Sequence, residues 1–181
     1  MSKLVTKNSS GAGEGHSFNN IIYSKSPDNK YRYALGTKGK KTLYCFGINP
    51  STATPEKYDP TVTRVKKVAL KNGFDSVVML NIYPLRATNP DDLPERINHD
   101  EHISNIKAIL NTVKDQSVIW AAWGDLILTR PWLKECRDHI LTSINEKKKE
   151  ILWVKMGELT KRRNPRHPLF LKYQPFSEFA Q

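Results

Sequence analysis

Cysteine is scarce in this chain, with two residues, Cys45 and Cys136, among 181. Cys45 falls in an apolar stretch that predicts a strand, and Cys136 falls on the apolar stripe of a predicted helix, so both are expected to be small core residues. Two separate cysteines offer neither a disulfide framework nor the paired spacing of a zinc site. We therefore predict no metal site and no other cofactor, and a reducing, cytoplasmic location.

Long apolar runs are also missing. No stretch approaches the roughly 20 apolar residues needed to span a bilayer, and the N-terminus lacks the hydrophobic core of a signal peptide. Residues 1–20 are polar and rich in Gly, Ser and Asn, which predicts a flexible N-terminal arm. Residues 21–181 are then expected to form a single domain, with no membrane association and, by default, a monomeric state.

Acidic residues are few relative to basic ones, with 18 Asp and Glu against 29 Lys and Arg and a formal net charge of +11. Such an excess favours polyanionic partners, nucleic acid first and an anionic membrane surface second. A merely basic soluble protein is an equal alternative on charge alone. One loop holds the arginines that we predict to contact phosphate groups: Arg162, Arg163 and Arg166.

Four short apolar segments predict buried strands, at residues 42–48, 76–81, 117–124 and 151–154. Strands that are apolar on both faces and separated by helices are typical of a parallel sheet with right-handed crossovers. The sequence therefore predicts an α/β fold, a three-layer α/β/α sandwich around a central, mainly parallel, four-stranded sheet. Residues 31–36 alternate like a further strand, which we expect to form a hairpin with the 42–48 strand.

Amphipathic stripes between these strands predict three helices. Asp59 is a good N-cap, Pro60 suits the first helical position, and Gly73 follows as a stop. The residues expected to face the core are, helix by helix, Val62, Val65 and Ala69; Ile103, Ile106, Leu110 and Val113; and Trp132, Cys136, Ile140 and Ile144.

Polar residues follow the predicted strands at their carboxyl ends, the edge where parallel sheets usually bind ligands. Short amide and hydroxyl groups there can hydrogen-bond a planar ring, and a cation with an imidazole can hold an attached phosphorylated sugar. The residues, strand by strand, are Gly47, Asn49 and Ser51; Asn81; Trp123 and Gly124; and Arg166 and His167, held between Pro165 and Pro168.

Each of these signals has a simpler explanation. An Asn-Pro pair after a strand is most often a turn, and Asn81 could cap its own strand by bonding the neighbouring backbone. Trp120 and Trp123 are more often core residues than ligand platforms. Four further histidines, His16, His99, His102 and His139, are expected at the surface or in the tail. Only the recurrence of polar groups at successive strand ends favours a functional site.

The same segments resemble the domain-of-unknown-function family 1643 of bacteria and phages, from about Tyr31 to Leu171. The similar blocks are Asn49-Pro50-Ser51-Thr52-Ala53; Asp59-Pro60-Thr61 with Arg64; Asn81 with Arg86-Ala87-Thr88; Ala122-Trp123-Gly124; and Pro165-Arg166-His167-Pro168-Leu169. The family has no assigned activity, so this resemblance implies none.

A more distant resemblance, to the uracil-DNA glycosylase superfamily, implies a fold and roles. Gly47-Ile48-Asn49-Pro50 resembles the first catalytic motif of the mismatch-specific branch, whose Asn positions the attacking water. Met79-Leu80-Asn81 resembles the strand end whose Asn reads a flipped pyrimidine, and Trp120-Ala121-Ala122-Trp123-Gly124 resembles another strand of that fold. His167-Pro168 resembles the loop whose His stabilises charge on the departing base and whose neighbours press into the duplex.

Three features depart from that superfamily. Leu169 follows His-Pro where Ser is usual, which removes a hydroxyl that contacts phosphate. Ser51 replaces the usual Gly after Asn-Pro. Asp59, Thr61 and Arg64 have no counterpart, and this charged trio could bind a different ligand, such as a nucleotide or a modified base.

The resemblance thus implies a nucleobase-recognising protein with a uracil-DNA glycosylase-like fold that hydrolyses an N-glycosidic bond in DNA or in a nucleotide, in DNA repair or modification. DNA is the expected partner before RNA. The alternatives are a non-catalytic module that binds nucleic acid or a nucleotide, and a structural or phage–host interaction protein. The catalytic residues would be Asn49 and His167, and the ligand-binding residues Gly47, Pro50, Ser51, Thr52, Asp59, Thr61, Arg64, Asn81, Arg86, Trp123 and Gly124.

Overall fold

A computed structural model describes residues 20–180 of the chain. These residues form one mixed β-sheet with three α-helices and a few short 3₁₀ turns. The predicted N-terminal arm lies outside the described residues except for Asn20, whose carbonyl accepts a hydrogen bond from the Lys38 N–H. The strands are β1 (Ile21–Lys25), β2 (Arg32–Thr37), β3 (Thr42–Gly47), β4 (Ser76–Asn81), β5 (Val118–Ala121), β6 (Leu152–Met156) and β7 (Phe176–Glu178).

The sheet has seven strands in the order β1-β2-β4-β3-β5-β6-β7. The four predicted strands lie side by side in it and run parallel, with β3 between β4 and β5 and with β6 next to β5. Antiparallel strands extend both sides, since β2 pairs with β4, β1 with β2, and β7 with β6. The prediction of four strands and a mainly parallel sheet was therefore too narrow, because half of the strand pairings are antiparallel.

The expected hairpin between residues 31–36 and the 42–48 strand does not form. β2 pairs with β4, with Leu35 opposite Met79, and makes no ladder with β3. The reason is that β3 has a parallel neighbour on each side, so neither of its edges is open to the preceding strand. Residues 43–46 are buried, as expected for a strand in the middle of a sheet.

The three helices are α1 (Pro60–Lys71), α2 (His99–Thr112) and α3 (Pro131–Lys147). The predicted start of α1 is confirmed, since the Asp59 carboxylate accepts the Val62 N–H at 2.9 Å and Pro60 is the first helical residue. Gly73 follows the helix with φ of +76°, a left-handed conformation that suits a glycine stop. The predicted core stripe of α3 is confirmed as well, because all four of its residues are buried.

The predicted stripe of α2 was partly wrong. Ile106 is buried, but Ile103 is 40% exposed, and the buried face also includes His102 and Asn105. The face is rotated toward polar residues because Asn105 satisfies main-chain carbonyls at the end of β4, where it donates to Asn81 at 2.9 Å and to Ile82 at 3.3 Å.

Helices cover both faces of the sheet. Side chains of α1 pack with Leu43, Cys45 and Met79 in one core, and side chains of α2 and α3 pack with Tyr44 and Phe46 in the other. Alternate residues of β3 point to opposite faces, which separates the two cores. The chain moves from β3 to β4 on one side and then crosses to β5 on the other, so the connections reverse direction at β3. Open α/β sheets bind ligands at such a reversal, beyond the carboxyl ends of the strands.

Both cysteines are buried and unpaired, which confirms them as core residues. His102 was predicted at the surface and is instead 4% exposed, with its Nε2 3.2 Å from Nδ1 of His139 on α3. The packing of α2 on α3 buries it, and the sequence pattern alone does not reveal that contact. Within residues 20–180, none of the helices combines the length and the apolar character needed to cross a membrane.

Candidate functional site

A small cavity of about 80 Å³ lies beyond the carboxyl ends of β3 and β4. It is bounded by the ends of these strands, by the first turn of α1, and by the loops after β5 and β6. Three predicted key residues from distant parts of the chain, Asn49, Asn81 and His167, line it together. The other lining residues are Arg32, Gly47, Ile48, Ser51, Asp59, Thr61, Val62, Met79 and Leu126.

Asn49 is held rigidly by the loop that follows β4. Its Nδ2 donates to the carbonyl of Ala87 at 2.8 Å, to that of Pro50 at 3.1 Å and to that of Leu85 at 3.5 Å. The Asn49 side-chain oxygen has no hydrogen-bond partner among the described residues. The side chain can therefore present one fixed acceptor to a molecule in the cavity.

Asn81 is 2% exposed, and its Nδ2 has no hydrogen-bond partner in the described chain. A buried amide donor without a partner costs free energy unless a bound molecule supplies an acceptor. Gly47 stands opposite, and a Cβ at that position would come within 3.1 Å of the Asn81 Oδ1. The glycine thus leaves room beside the amide, and the Asn105 side chain fixes the Asn81 carbonyl from behind.

His167 is positioned by Gly124. The Gly124 N–H donates to the carbonyl of Pro165 at 2.9 Å, and its φ of +66° is in the left-handed region that favours glycine. A Cβ at position 124 would be 3.3 Å from the His167 Cβ, so the loop approaches closely. The His167 Nδ1 accepts the Leu169 N–H at 3.4 Å, so the neutral ring carries its proton on Nε2.

The electrostatic surroundings keep that imidazole neutral near pH 7. Burial lowers the pKa of His167, and the nearby Asp59 carboxylate opposes this only in part. Asp59 is also the N-cap of α1, where it uses one carboxylate oxygen. A neutral imidazole with its proton on Nε2 is a hydrogen-bond donor, which suits an acceptor on a bound molecule.

Arg32, at the start of β2, is a lining residue that sequence reasoning missed. It is 2% exposed, its Nη1 donates to the Ala53 carbonyl at 3.2 Å, and its Nε has no partner among the described residues. Burial, reinforced by the nearby Arg86 guanidinium, lowers its pKa to about 10, so it stays charged at neutral pH. The only sequence signal was an arginine inside an otherwise apolar strand pattern.

Several predicted ligand-binding residues lie outside the cavity. Arg86 donates to the Ser51 carbonyl at 2.7 Å and to the Tyr23 hydroxyl at 2.7 Å, and Arg64 donates to the Leu171 carbonyl at 2.6 Å. These two arginines hold loops around the cavity. Thr52 is exposed, Pro50 is buried beside the site, and Gly124 reaches the site only through His167.

Trp123 lies in the core on the α2 and α3 face and does not line the cavity. It is 1% exposed, and its ring packs against Trp153 at 6.4 Å and Phe179 at 5.8 Å between centroids. Trp123 is therefore a core residue, which agrees with its simpler explanation.

The basic loop after β6 is anchored by Asp125, a second residue that sequence reasoning missed. The Asp125 carboxylate accepts from the Thr160 hydroxyl at 2.7 Å and from the Asn164 amide at 2.8 Å. These two hydrogen bonds lower the pKa of Asp125, and nearby arginines lower it further. Arg166 donates from Nε to the Glu158 carbonyl at 2.9 Å. The predicted phosphate contacts Arg162 and Arg163 lie in this anchored loop and are exposed.

A second cavity, of about 220 Å³, lies at the opposite edge of the sheet, at the amino ends of β3 and β5. Four lysines line it, Lys38, Lys40, Lys41 and Lys114, together with Asp115 and neighbouring polar residues. None of the residues predicted to form a site lies there.

Comparison with known proteins gives one match. No curated protein and no solved structure matches the chain. A family model described as "Protein of unknown function (DUF1643)" matches residues 32–169, a span that begins at Arg32 and includes every residue lining the cavity at the carboxyl ends of β3 and β4. The chain therefore belongs to the DUF1643 family.

Proposed function

We propose that the cavity beyond β3 and β4 recognises a nucleobase and that the protein hydrolyses the N-glycosidic bond of that base in DNA or in a nucleotide. One observation carries the proposal. Asn49, Asn81 and His167 belong to three separate parts of the chain, at or after the ends of β3, β4 and β6, yet they line a single cavity. Residue types suited to orienting water, reading a ring and stabilising a leaving group therefore surround one space.

The size and chemistry of the cavity support a small planar ligand. A volume of about 80 Å³ is well below the roughly 300–1,000 Å³ of pockets for drug-sized ligands. The space suits one six-membered ring, with the sugar lying outside. The unpartnered Asn81 Nδ2 and its Oδ1 give a donor and an acceptor side by side, which match the edge of a pyrimidine.

The proposed reaction breaks the bond between the base nitrogen and the sugar C1′. A water oriented by the Asn49 side-chain oxygen adds to C1′, and the base leaves with the bonding electron pair. His167 donates a hydrogen bond from Nε2 to the developing negative charge on the base, which lowers the barrier electrostatically. Asp59 is the one carboxylate among the lining residues and accepts the proton of the water, which is later passed to the released base.

The surface around the cavity supports a nucleic-acid substrate, DNA in the first place. Leu169 and Phe170 follow His167 and are 45% and 82% exposed, and the Phe170 ring lies 5.7 Å from the imidazole. Exposed apolar side chains at the mouth of a base pocket can fill the space that an extruded nucleotide leaves in a duplex. The basic loop beside them and the net charge of +11 would attract the phosphate backbone.

The fold that this proposal implies is a uracil-DNA glycosylase-like arrangement. The parallel strands in the order β4-β3-β5-β6 support it, because this order sets the ends of β3 and β4 side by side. Asn49 and Asn81 then stand on neighbouring strand ends.

A non-catalytic base-binding module is the second candidate, and a specific observation favours it. The Asn49 Nδ2 donates hydrogen bonds to three main-chain carbonyls, so a structural role in holding two loops together already explains an asparagine at this position. Leu169 also stands where a phosphate-contacting hydroxyl would help catalysis. Both observations suit a pocket that binds a base without cleaving it.

Single-turnover assays on DNA containing uracil, hypoxanthine or a modified pyrimidine test the proposal. We expect base release with at least one of these substrates, and loss of release in Asn49→Ala and in His167→Phe. Because Asn49 also holds loops, the melting temperature of Asn49→Ala must be compared with that of Asn49→Asp, which keeps an acceptor but loses the Nδ2 donor.

The two candidates separate in the double variant that carries Asn49→Ala and His167→Phe. Loss of cleavage with retained binding of the base indicates the hydrolase. Absence of cleavage by the unmodified protein, combined with base binding that the double variant retains, indicates the module. Failure of the unmodified protein to bind or cleave any base-containing probe would refute both.

A further inference from the structure

Arg32 is a buried cation that forms no ion pair among the described residues, although the Asp59 carboxylate is near enough to act on its charge. The ion pairs within residues 20–180 are Lys30 with Asp28 and Arg137 with Asp138, and neither pair involves a residue that lines the cavity. Removing a guanidinium from water costs several kcal/mol unless an anion or several acceptors replace the water. The side chain of Arg32 has one described acceptor, the Ala53 carbonyl, at 3.2 Å.

The donors of Arg32 that remain unused lie on one edge of the guanidinium. Nη1 is engaged with Ala53, whereas Nε is buried with no partner and Nη2 has none among the described residues. Nε and Nη2 together form the side of the fork that binds a carboxylate or a phosphate through two parallel hydrogen bonds. Arg32 is one of the residues that line the cavity, so a ligand that fills the cavity lies next to this guanidinium.

Holding the loop near Ala53 does not explain Arg32, because Arg86 already does so. The Arg86 Nη1 donates to the Ser51 carbonyl at 2.7 Å and to the same Ala53 carbonyl at 3.3 Å. Two guanidinium groups thus converge on one carbonyl oxygen. The burial of Arg32 is therefore better explained by a bound ligand than by a role in holding the loop.

The charges around the cavity give the sign of that ligand. Arg32 and Asp59, which line the cavity, contribute one positive and one negative charge, and His167 is neutral near pH 7. Arg86 lies just outside the lining and adds a second positive charge that acts on Arg32. The sum is one uncompensated positive charge. A ligand with one negative charge at its buried end would neutralise it.

We propose that the ligand of this cavity carries an oxyanion, a carboxylate or a phosphate group, that binds the free edge of Arg32 while the base ring lies against Asn81. The inference rests on the proposed base recognition and narrows it to acidic bases or acidic nucleotides. Arg32 then determines specificity, since a neutral ring leaves its donors unpaired.

Four probes separate the contributions of the ring and the anion: uracil, uracil-6-carboxylate, acetate and inorganic phosphate. Binding is followed by calorimetry and by the ¹⁵N–¹H resonance of the Arg32 Nε, which is assigned by its disappearance in Arg32→Lys. We expect uracil-6-carboxylate to bind at least 10-fold more tightly than uracil and to shift the Nε resonance. Phosphate or acetate alone should produce a smaller shift at the same resonance, and the stronger of the two identifies the preferred anion.

Variants test whether Arg32 causes the preference. Arg32→Gln should reduce the ratio of the two affinities to within about twofold, chiefly by weakening the binding of uracil-6-carboxylate. Arg96→Gln, an exposed arginine elsewhere, is the matched control and should keep the ratio. Should Arg32→Gln fail to fold, Arg32→Lys retains the charge without the fork and should lower the ratio in part.

The outcomes distinguish this inference from the proposed function. Equal affinity for uracil and uracil-6-carboxylate, with both lost in Asn81→Ala, would overturn the anion site and leave base recognition intact. Anion binding through Arg32 with no contribution from the ring would overturn base recognition instead. A preference that survives in Arg32→Gln, or no binding of any probe, would overturn the inference.

Discussion

The two edges of the central sheet each carry a cavity, and the two cavities differ in size, in the charges that line them and in the pairing of their buried polar atoms. The cavity at the amino ends is the larger, at about 220 Å³ against about 80 Å³, and lysines dominate its lining. Its polar groups are largely satisfied, since the Asp75 carboxylate accepts the N–H groups of Lys40 and Lys41. At the carboxyl ends, Arg32 and Asn81 are buried with hydrogen-bonding atoms that have no described partner.

This difference leads to a prediction about which cavity binds a ligand specifically. Exposed lysines such as Lys40, Lys41 and Lys114 are flexible and well solvated, so they lose side-chain entropy when they hold a ligand. Buried donors held by a sheet have already lost that freedom. The smaller cavity is therefore expected to be the specific one, and the lysine cavity to contribute general attraction for anions.

The largest effect is expected from Asn81→Ala. Removing the unpartnered Nδ2 should weaken binding of the base about 10- to 100-fold, because the ligand forfeits one or two buried hydrogen bonds at ~1.4 kcal/mol per tenfold. Stability should change little, since that donor has no partner in the described chain. Calorimetry with uracil-6-carboxylate and urea unfolding measure the two quantities.

Asn105→Ala is the comparison for this prediction. The Asn105 Nδ2 donates to two main-chain carbonyls, so its removal should cost stability, about 1–3 kcal/mol. If Asn81→Ala were as destabilising as Asn105→Ala and left binding unchanged, the amide would be structural and the contrast between the two edges would fail.

The next effect is expected from Gly124→Ala. A non-glycine residue at φ of +66° costs about 1–2 kcal/mol, and the added Cβ would also press on the His167 Cβ at 3.3 Å. We expect reduced thermal stability together with a several-fold loss of base release, as His167 is displaced from the cavity.

Gly73→Ala is the control for the cost in stability of placing a non-glycine residue at a positive φ. Gly73 has a similar φ of +76°, and its nearest neighbour is the flexible end of Lys41 at 3.9 Å. It should lose similar stability without loss of activity. Equal activity losses in the two variants would show that the contact with His167 is unimportant.

A stability effect alone is expected from His102, a buried residue with an unpartnered Nδ1 that lines neither cavity. Burial, with smaller contributions from His139 and His99, lowers the pKa of His102 to about 4. The unfolded chain binds a proton as the pH falls through about 6.5, whereas the folded chain does so only near 4. The free energy of unfolding should therefore fall across this window, by at most about 3 kcal/mol.

Urea unfolding at pH 7.5, 6.0, 5.0 and 4.5 measures this fall. His102→Gln should flatten it, while His99→Gln, an exposed histidine on the same helix, should not. Ligand binding at pH 7.5 should be the same in both variants. A loss of binding in His102→Gln would mean that an unpartnered buried atom affects the site from outside the cavity.

The smallest effect on the specific ligand is expected from the double variant Lys40→Ala with Lys41→Ala. Binding of uracil-6-carboxylate should stay within about twofold. Binding of duplex DNA should become less sensitive to salt, and the slope of log affinity against log salt should become shallower by up to about 0.9 for each phosphate that these lysines neutralise. A large loss of uracil-6-carboxylate binding would indicate instead that the specific site lies at the amino ends of the strands.

Much of the layout could be predicted because it follows from local patterns. The parallel strands are continuous apolar runs, Asp59 and Pro60 carry their own capping signal, and the stripe of α3 has one clear period. The sheet edges could not be predicted. β7 has three residues, and the choice of β4 as the partner of β2 depends on β3 already having two neighbours.

The sequence specifies which polar residues stand near the strand ends, because Asn49 and Asn81 close two apolar runs and His167 lies in the loop that follows another. It placed Asn49, Asn81 and His167 at three such ends, although it could not bring them together. The tertiary structure decided that they line one cavity, that Trp123 belongs to the core, and that Arg32 and Asp125 belong to the site and its support. Arg32 illustrates the physical reason, since an alternating strand leaves a charged residue on a solvated face unless a distant part of the chain packs over that face. The loop between β3 and α1, whose Ala53 carbonyl accepts a hydrogen bond from Arg32, contacts that guanidinium, which is buried beside the cavity.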